Sequence, residues 1–563
     1  MDKRIVSLAL VLAVMATLVA ATSLAAQEQR RGRRAQAEQE AAKQEAAKQQ
    51  AEQQQPTQST QPATAPSGEK KDEKKPEGKS DGDKLSVTEH EITAGGRALR
   101  YKATAGTIQM KDEAGKHKAD VFFVAYDKTP AAENPATRPI TFVFNGGPGA
   151  AAVWLHLGTA GPKRVRLNDE GDAPPPPYGM VDNETTWLEA SDLVFIDPVG
   201  TGYSRPAPGE KQEQFSGVEE DVRWVGEFIR LYTTRYQRWA SPKFLAGESY
   251  GTTRAAALSD HLLDDVGINL NGVILISTVL DFQTLSFGGG TDLPYLVYLP
   301  SYTATAFHFK KLSSDLQADL GKTLREVEDW AMTEYVQVLA RGASVEPGRR
   351  AEAVKRVARY TGLSPDAVDK ADLRIDPELF RTLLLEDKRQ LLGRFDTRMT
   401  GYDRQPLRRE AEWDPSYSQY EAAYSATIND YLRRQLKFET DTRYEVLTGR
   451  VHPWNFGPGG TGYTFVAHRL RQAMIKNPYL QVMVASGYHD LATPYYATHY
   501  TLAHLDLSPE LRKNITEVVY PGGHMMYHRQ ESLKKLNGDV KAFIQQATGQ
   551  GQQDRVAGER DRE

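Results

Sequence analysis

Gly247-Glu248-Ser249-Tyr250-Gly251 sets a serine two residues from a glycine on either side. Residues 243–246 before it read as a strand, and residues 253–263 after it as a helix. A strand-to-helix turn this sharp accepts only small residues at the flanking positions, and it leaves the serine hydroxyl exposed above the sheet. At its free pKa that hydroxyl is a weak nucleophile, so attack on an acyl group needs a base and a carboxylate to orient the base. Two later segments can supply them. Asp490 follows an apolar strand in Ser486-Gly487-Tyr488-His489-Asp490, and His524 follows the strand 515–520 in Pro521-Gly522-Gly523-His524. Asn145-Gly146-Gly147-Pro148-Gly149 follows a further strand, 140–144, and such a loop can turn backbone N–H groups toward a developing oxyanion. The N–H of Tyr250, next after the serine, is the second donor. No Gly-Lys-Ser/Thr ending follows the glycines, which disfavours phosphate binding.

The elements that must hold these residues are legible. Segments 87–93, 98–110 and 119–126 alternate or run apolar, with Gly95-Gly96 and residues 112–115 as turns, and predict an antiparallel meander. Short, nearly continuous apolar strands follow at 140–144, 193–196, 244–246, 273–276 and 482–485, spaced by helix-length segments. That pattern belongs to a parallel sheet buried on both faces. Between about 281 and 456 the strand rhythm stops, and 312–339 and 349–360 show helical periodicity instead. We read this as a helical cap inserted over the carboxyl edge of the sheet, where α/β sheets hold their sites. The expected fold is therefore α/β: an α/β-hydrolase fold with a mostly parallel central sheet, an antiparallel N-terminal edge and a helical cap insertion. In that fold the partners follow the serine in the order Ser, acid, His, which selects Asp490 and His524. His489 and His528 are rivals for the base; the first adjoins Asp490 in sequence, and the second is expected at the start of the last helix as a surface or packing residue. Asp197 also ends a strand but precedes Ser249.

Lys and Arg number 70 against 74 Asp and Glu, a net charge of -4, and no basic stripe is interleaved with aromatics, so nucleic acid is not an expected partner. Cysteine is absent, which excludes a Cys nucleophile and thiolate metal sites. No cofactor or metal is called for. Lys3 and Arg4 precede an apolar run over residues 5–21, and Ser23-Leu24-Ala25 offers small residues for cleavage. This reads as an export signal over residues 1–26, with an uncleaved membrane anchor as the alternative, because the run nears spanning length and Arg30, Arg31, Arg33 and Arg34 follow it. Residues 27–85 are low in apolar content and read as a disordered tether, as does the tail 546–563. The body then divides into a first core part (86–280), the cap (281–456) and a second core part (457–545).

Asn145 to Gly149, Asp197-Pro198-Val199-Gly200-Thr201-Gly202-Tyr203-Ser204, Gly247 to Gly251, the segment around Asp490, and Gly522-Gly523-His524 occur in that order. Together they resemble the motif set of the serine carboxypeptidases (peptidase family S10) over roughly residues 109–544, with the cap matching only in position. The missing cysteines, which pair in eukaryotic members, point to a bacterial-type member. The resemblance implies that Ser249, Asp490 and His524 are the catalytic residues. It further implies that Gly147 and Tyr250 supply the oxyanion donors, and that Asn145 and Glu248 grip the carboxylate of a peptide substrate. Two departures stand out. Val143 replaces the Trp usual in the family, and Thr159 replaces a second Glu that normally shares a proton with the residue matching Glu248. Glu248 is therefore expected to face Thr159, which leaves two outcomes: a weak preference for free acids, or a substitute cation, Lys163 or Arg164, that anchors the carboxylate near neutral pH. The expected activity is release of C-terminal residues from peptides through an acyl-enzyme, outside the cytoplasm. An esterase or acyltransferase with the same triad is the alternative.

Overall fold

The sheet begins with strands written for one wet and one dry face. In the computed structural model, which describes residues 83–288, 290–405, 411–457 and 463–549, Leu85–Ala94 (β1) alternates exposed and covered positions along its length. It pairs antiparallel with Arg97–Lys111 (β2), which pairs in turn with His117–Thr129 (β3). Ile140–Phe144 (β4), Asp192–Ile196 (β5), Lys243–Glu248 (β6), Gly272–Ile276 (β7), Gln481–Gly487 (β8) and Ile515–Tyr520 (β9) complete the main path. The first four of these six are buried at every residue, as strands covered on both faces must be. The order is β1-β2-β3-β5-β4-β6-β7-β8-β9, and a two-residue strand, Arg205–Pro206, joins β3 to make ten. From β5 to β9 all neighbours are parallel, while β3 and β5 run antiparallel. The expected signal peptide and most of the 27–85 tether and of the 546–563 tail lie outside the described residues; Leu85, expected in the tether, opens β1, and Gln546 and Ala547, expected in the tail, still belong to the helix Gln530–Ala547.

Helices cover both faces. Val218–Arg235 (α1) opens on Glu219, Glu220 and Asp221, favourable beside the positive end of a helix, and buries Val222, Val225, Phe228, Ile229 and Tyr232 at helical spacing. Those side chains pack on Phe123, Phe142 and Leu245 of the sheet, together with Tyr250–His261 (α2) and Ala467–Lys476 (α7). Burying each contributes about 1.5–3 kcal/mol, and Phe228→Ala would cost about 3–5 kcal/mol. The other face carries Gln530–Ala547 (α8), whose Leu533, Leu536, Val540 and Ile544 are buried against it.

Between β7 and β8 the chain is helical, with Leu293–His308 (α3), Leu320–Trp330 (α4) and Pro347–Thr361 (α5). Their apolar faces share a core of their own around Val297, Tyr302, Trp330, Val357 and Phe380. The segment 312–339 is not one helix. Asp319 caps a new start by accepting from Lys322 N at 2.9 Å, and a wider turn at Ala331–Tyr335 leads into Val336–Arg341. Pro415–Arg434 (α6) behaves differently from its neighbours in sequence: Tyr420, Tyr424, Ile428 and Tyr431 pack into the core that holds Tyr101 and Tyr126 of the sheet. Two short antiparallel pairs, Lys163–Val165 with Met180–Asp182 and Gln390–Leu392 with Thr400–Tyr402, had no sequence signal. Between them these packings fix the carboxyl ends of β4, β6, β7, β8 and β9 side by side.

Candidate active site

Register alone brings the first two loops together. Phe144, the last residue of β4, lies opposite Gly247, so the Asn145 loop and the Ser249 turn leave neighbouring parallel strands at one level. The turn is as tight as its glycines imply: a Cβ on Gly247 would sit 2.1 Å from Gly251 O. Ser249 itself has φ 59° and ψ -129°, a strained conformation for a residue with a side chain. Its N–H donates to Ile276 O at 3.0 Å, tying the turn to the end of β7. The glycine loop lies against the start of α2, where a Cβ on Gly146 would meet Tyr250 N at 2.4 Å. Gly147 has φ +99°, and neither Gly147 N nor Tyr250 N donates to a protein acceptor among the described residues. Both remain available to an incoming oxygen.

Asp490 and His524 meet at the ends of β8 and β9. Asp490 is fully buried, and its Oδ1 accepts from Ala492 N (2.7 Å) and Thr493 N (3.0 Å). Its Oδ2 accepts from Thr493 Oγ1 at 2.8 Å and stands 2.8 Å from His524 Nδ1. His524, 2% exposed, is held from three more directions. Its backbone N donates to Phe395 O (2.5 Å), its carbonyl accepts from Ser277 Oγ (2.5 Å), and the Phe395 ring lies 5.1 Å away. Burial alone would depress the imidazole pKa, but the charge and hydrogen bond of Asp490, with help from Glu248, lift it above its ordinary value. With Nδ1 given to the carboxylate, Nε2 is the free nitrogen. No hydrogen bond joins it to Ser249 Oγ among the described residues; such contacts are often long in a substrate-free site. Ser249, His524, Thr493, Gly147 and Glu248 all line one cavity of about 480 Å³.

Below the serine lies a second buried carboxyl. Glu248, 3% exposed, accepts from Asn145 Nδ2 at 2.8 Å and from Tyr527 OH at 2.6 Å. Burial raises its pKa to about 7 and Asp490 adds to the rise, against the opposing pull of His524, Tyr527 and Asn145. Asn145 is fixed in turn, its Oδ1 accepting from Leu155 N at 3.0 Å. Beneath both runs a buried ion pair: Arg254 Nε donates to Asp221 Oδ2 (2.7 Å), and Arg254 Nη1 donates to Asn145 O (2.6 Å). The site can therefore present a hydroxyl, a base with its carboxylate, two free N–H groups, and a carboxyl that titrates near neutrality.

The serine carboxypeptidase family description (Peptidase_S10) matches residues 96–537. The chain belongs to the serine carboxypeptidase family. Among curated relatives, "Serine carboxypeptidase-like 51" of Arabidopsis thaliana is 29% identical over 188 residues, 32% of this chain and 38% of its own length. "Probable serine carboxypeptidase CPVL" of Dictyostelium discoideum is 26% identical over 171 residues, 27% of this chain and 31% of its own. The matches thus span well under half the length of these relatives. Among solved structures, "Peroxisomal alpha-beta-hydrolase Lpx1" of Saccharomyces cerevisiae covers 83% of this chain and 90% of its own, at 10% identity and a TM-score of 0.30.

Against the family pattern, two expectations fail. Glu248 does not face Thr159. The Thr159 hydroxyl donates to Asn537 Oδ1 at 2.5 Å and its carbonyl is held by Asn183 and Asn537, while Tyr527 occupies the free oxygen of Glu248. Lys163 and Arg164 do not reach the cavity. They lie on a short strand pair, where Lys163 is bound to Asp182. Of the two places expected for His528, surface or packing, it takes the second: it is buried, 2.8 Å from Tyr424 OH. His489 is buried too, and burial lowers its pKa to about 3, which keeps it neutral. Asp197 accepts from Ala152 N at 2.8 Å and braces the loop next to Asn145. Thr493, Tyr527, Arg254 and Phe395 were missed in the sequence. Only Arg254, a charge followed by Ala255-Ala256-Ala257-Leu258, left a signal there.

Proposed function

We propose that this chain is an exported serine carboxypeptidase that releases C-terminal residues from peptides through an acyl-enzyme on Ser249. The observation that carries the reading is the Asp490–His524 pair opening onto the same cavity as the strained Ser249 and the buried Glu248. In the reaction, the Ser249 hydroxyl adds to the scissile carbonyl carbon and its proton passes to His524 Nε2. The imidazolium is stabilised by Asp490, and the N–H groups of Gly147 and Tyr250 receive the oxyanion. The C–N bond then breaks as His524 returns the proton to the leaving amine. Water repeats the sequence on the ester and restores Ser249. Asn145 and a protonated Glu248 orient the substrate's C-terminal carboxylate, so that the last peptide bond is the one presented. No helix among the described residues is long and apolar enough to cross a membrane, and the export reading rests on residues 1–26.

The test is a ten-residue peptide incubated with the purified protein and followed by mass spectrometry, beside its C-terminally amidated twin. A ladder of products shortened one residue at a time from the free C-terminus, slower for the amide, supports the reading. Internal cleavage, or equal rates for the two peptides, overturns it. N-terminal sequencing of the protein recovered from outside the cytoplasm tests the export signal, with a new terminus near residue 26 expected.

A further inference from the structure

One charge on the cavity wall has no ion-pair partner among the described residues. Arg394 lines the cavity beside His524 and is solvent-exposed, and among the described residues no carboxylate stands within ion-pair distance of its guanidinium. Its backbone is nonetheless pinned. Arg394 N donates to Asp414 at 3.2 Å, and Arg394 O accepts from Leu491 N at 3.0 Å, one residue from Asp490. The guanidinium lies over the Phe395 ring, 5.6 Å from its centre. From there an aromatic wall runs to the anchor: Phe395 meets Tyr417 at 6.2 Å, Tyr417 meets Trp154 at 6.1 Å, and Trp154 adjoins Leu155, which holds Asn145. The cation and the Asn145–Glu248 pair therefore line one cavity, linked by this run of rings. A substrate whose scissile carbonyl sits on Ser249 must lay its leaving residue along the wall that carries the anchor. The charge also reaches the chemistry, since Arg394 opposes protonation of His524.

We propose that Arg394 is a specificity-determining residue of this site, pairing with a carboxylate on the leaving residue of the substrate. The inference rests on the carboxypeptidase reading above and supplies what that reading lacks, a positive charge where Thr159, Lys163 and Arg164 provide none. An arginine offers two parallel N–H donors to a carboxylate, and its contact with the Phe395 ring restricts where the fork can lie. Two sources share this chemistry, the α-carboxylate and the side chain of a leaving Asp or Glu.

Three N-blocked dipeptides separate them: one ending in free leucine, one in leucine amide, and one in glutamic acid α-amide. In the wild-type protein the free acid, the glutamyl amide, or both should exceed leucine amide in kcat/KM. Arg394→Ala and Arg394→Gln should lower that ratio about tenfold, the lower end for a charge-assisted contact with an exposed partner. Arg394→Lys should restore part of it. Loss with the free acid assigns the α-carboxylate, and loss with the glutamyl amide assigns the side chain. Equal losses on all three substrates, or unmoved ratios, overturn the inference while leaving the carboxypeptidase reading intact. Failure of the wild-type protein to cleave the free acid overturns both.

Discussion

Glu248→Gln should change how free-acid substrates respond to pH. A carboxyl that titrates at about 7 is about nine-tenths protonated at pH 6 and about one-tenth protonated at pH 8. Only the protonated form can donate to a substrate carboxylate; the ionised form repels it. The ratio of kcat/KM for a free-acid dipeptide to that for its amide should therefore fall about tenfold between pH 6 and pH 8. Taking the ratio cancels the titration of His524, which both substrates share. Glutamine offers a donor at every pH, so in the variant the ratio should be flat over this range. The same group sets a stability term. Its folded pKa lies above the ordinary 4.5, so its contribution is present at low pH and is lost as pH rises from about 4.5 through about 7. The shift corresponds to about 3 kcal/mol, and Glu248→Gln should melt higher relative to wild type at pH 8 than at pH 5. Stopped assays from pH 5 to 8, with melting curves at both ends, give the answer. A ten-fold fall that persists in the variant would refute the assignment to Glu248.

The remaining predictions concern the supports. His524→Ala should lower kcat by about 10³ or more, while His489→Ala, a buried neutral packing residue, should act mainly on the melting temperature; the reverse ranking in steady-state assays would move the base. Arg254→Met should cost about 3–5 kcal/mol by leaving Asp221 as a buried unpaired charge, and adding Asp221→Leu should recover much of it in denaturant titrations. Gly146→Ala would drive a methyl toward Tyr250 N and displace the loop, so active-site labelling should fall sharply while circular dichroism stays native.

Most of the architecture was readable because burial on both faces leaves a clear trace: β4, β5 and β7 are apolar at nearly every position, β6 carries the apolar run Phe244–Ala246, and each is followed by an asparagine, aspartate or serine at the turn. The Ser249 turn was readable for the same local reason, since a strand, two glycines and a helix are contiguous. What the sequence hid lies in contacts between distant segments. Tyr527 meets Glu248 across 279 positions, and nothing in a lone tyrosine announces such a bond. Thr159 turned toward Asn537 because α8 crosses beneath it, a packing that no local pattern encodes. Helical periodicity over 312–339 is real, yet the cap at Asp319 and the wide turn at Ala331–Tyr335 interrupt it without breaking the apolar stripe. Arg394 sits in a loop between short strands, where an arginine looks like any solvated charge until the cavity beside it is seen.

Ser249 is assigned as the residue that attacks the substrate's carbonyl. Incubation with a fluorophosphonate, followed by intact-mass and peptide mapping, tests it directly. One adduct per chain, carried on the peptide containing Ser249 and absent from Ser249→Ala, is the predicted result; an adduct on another residue, or labelling that survives Ser249→Ala, would contradict it.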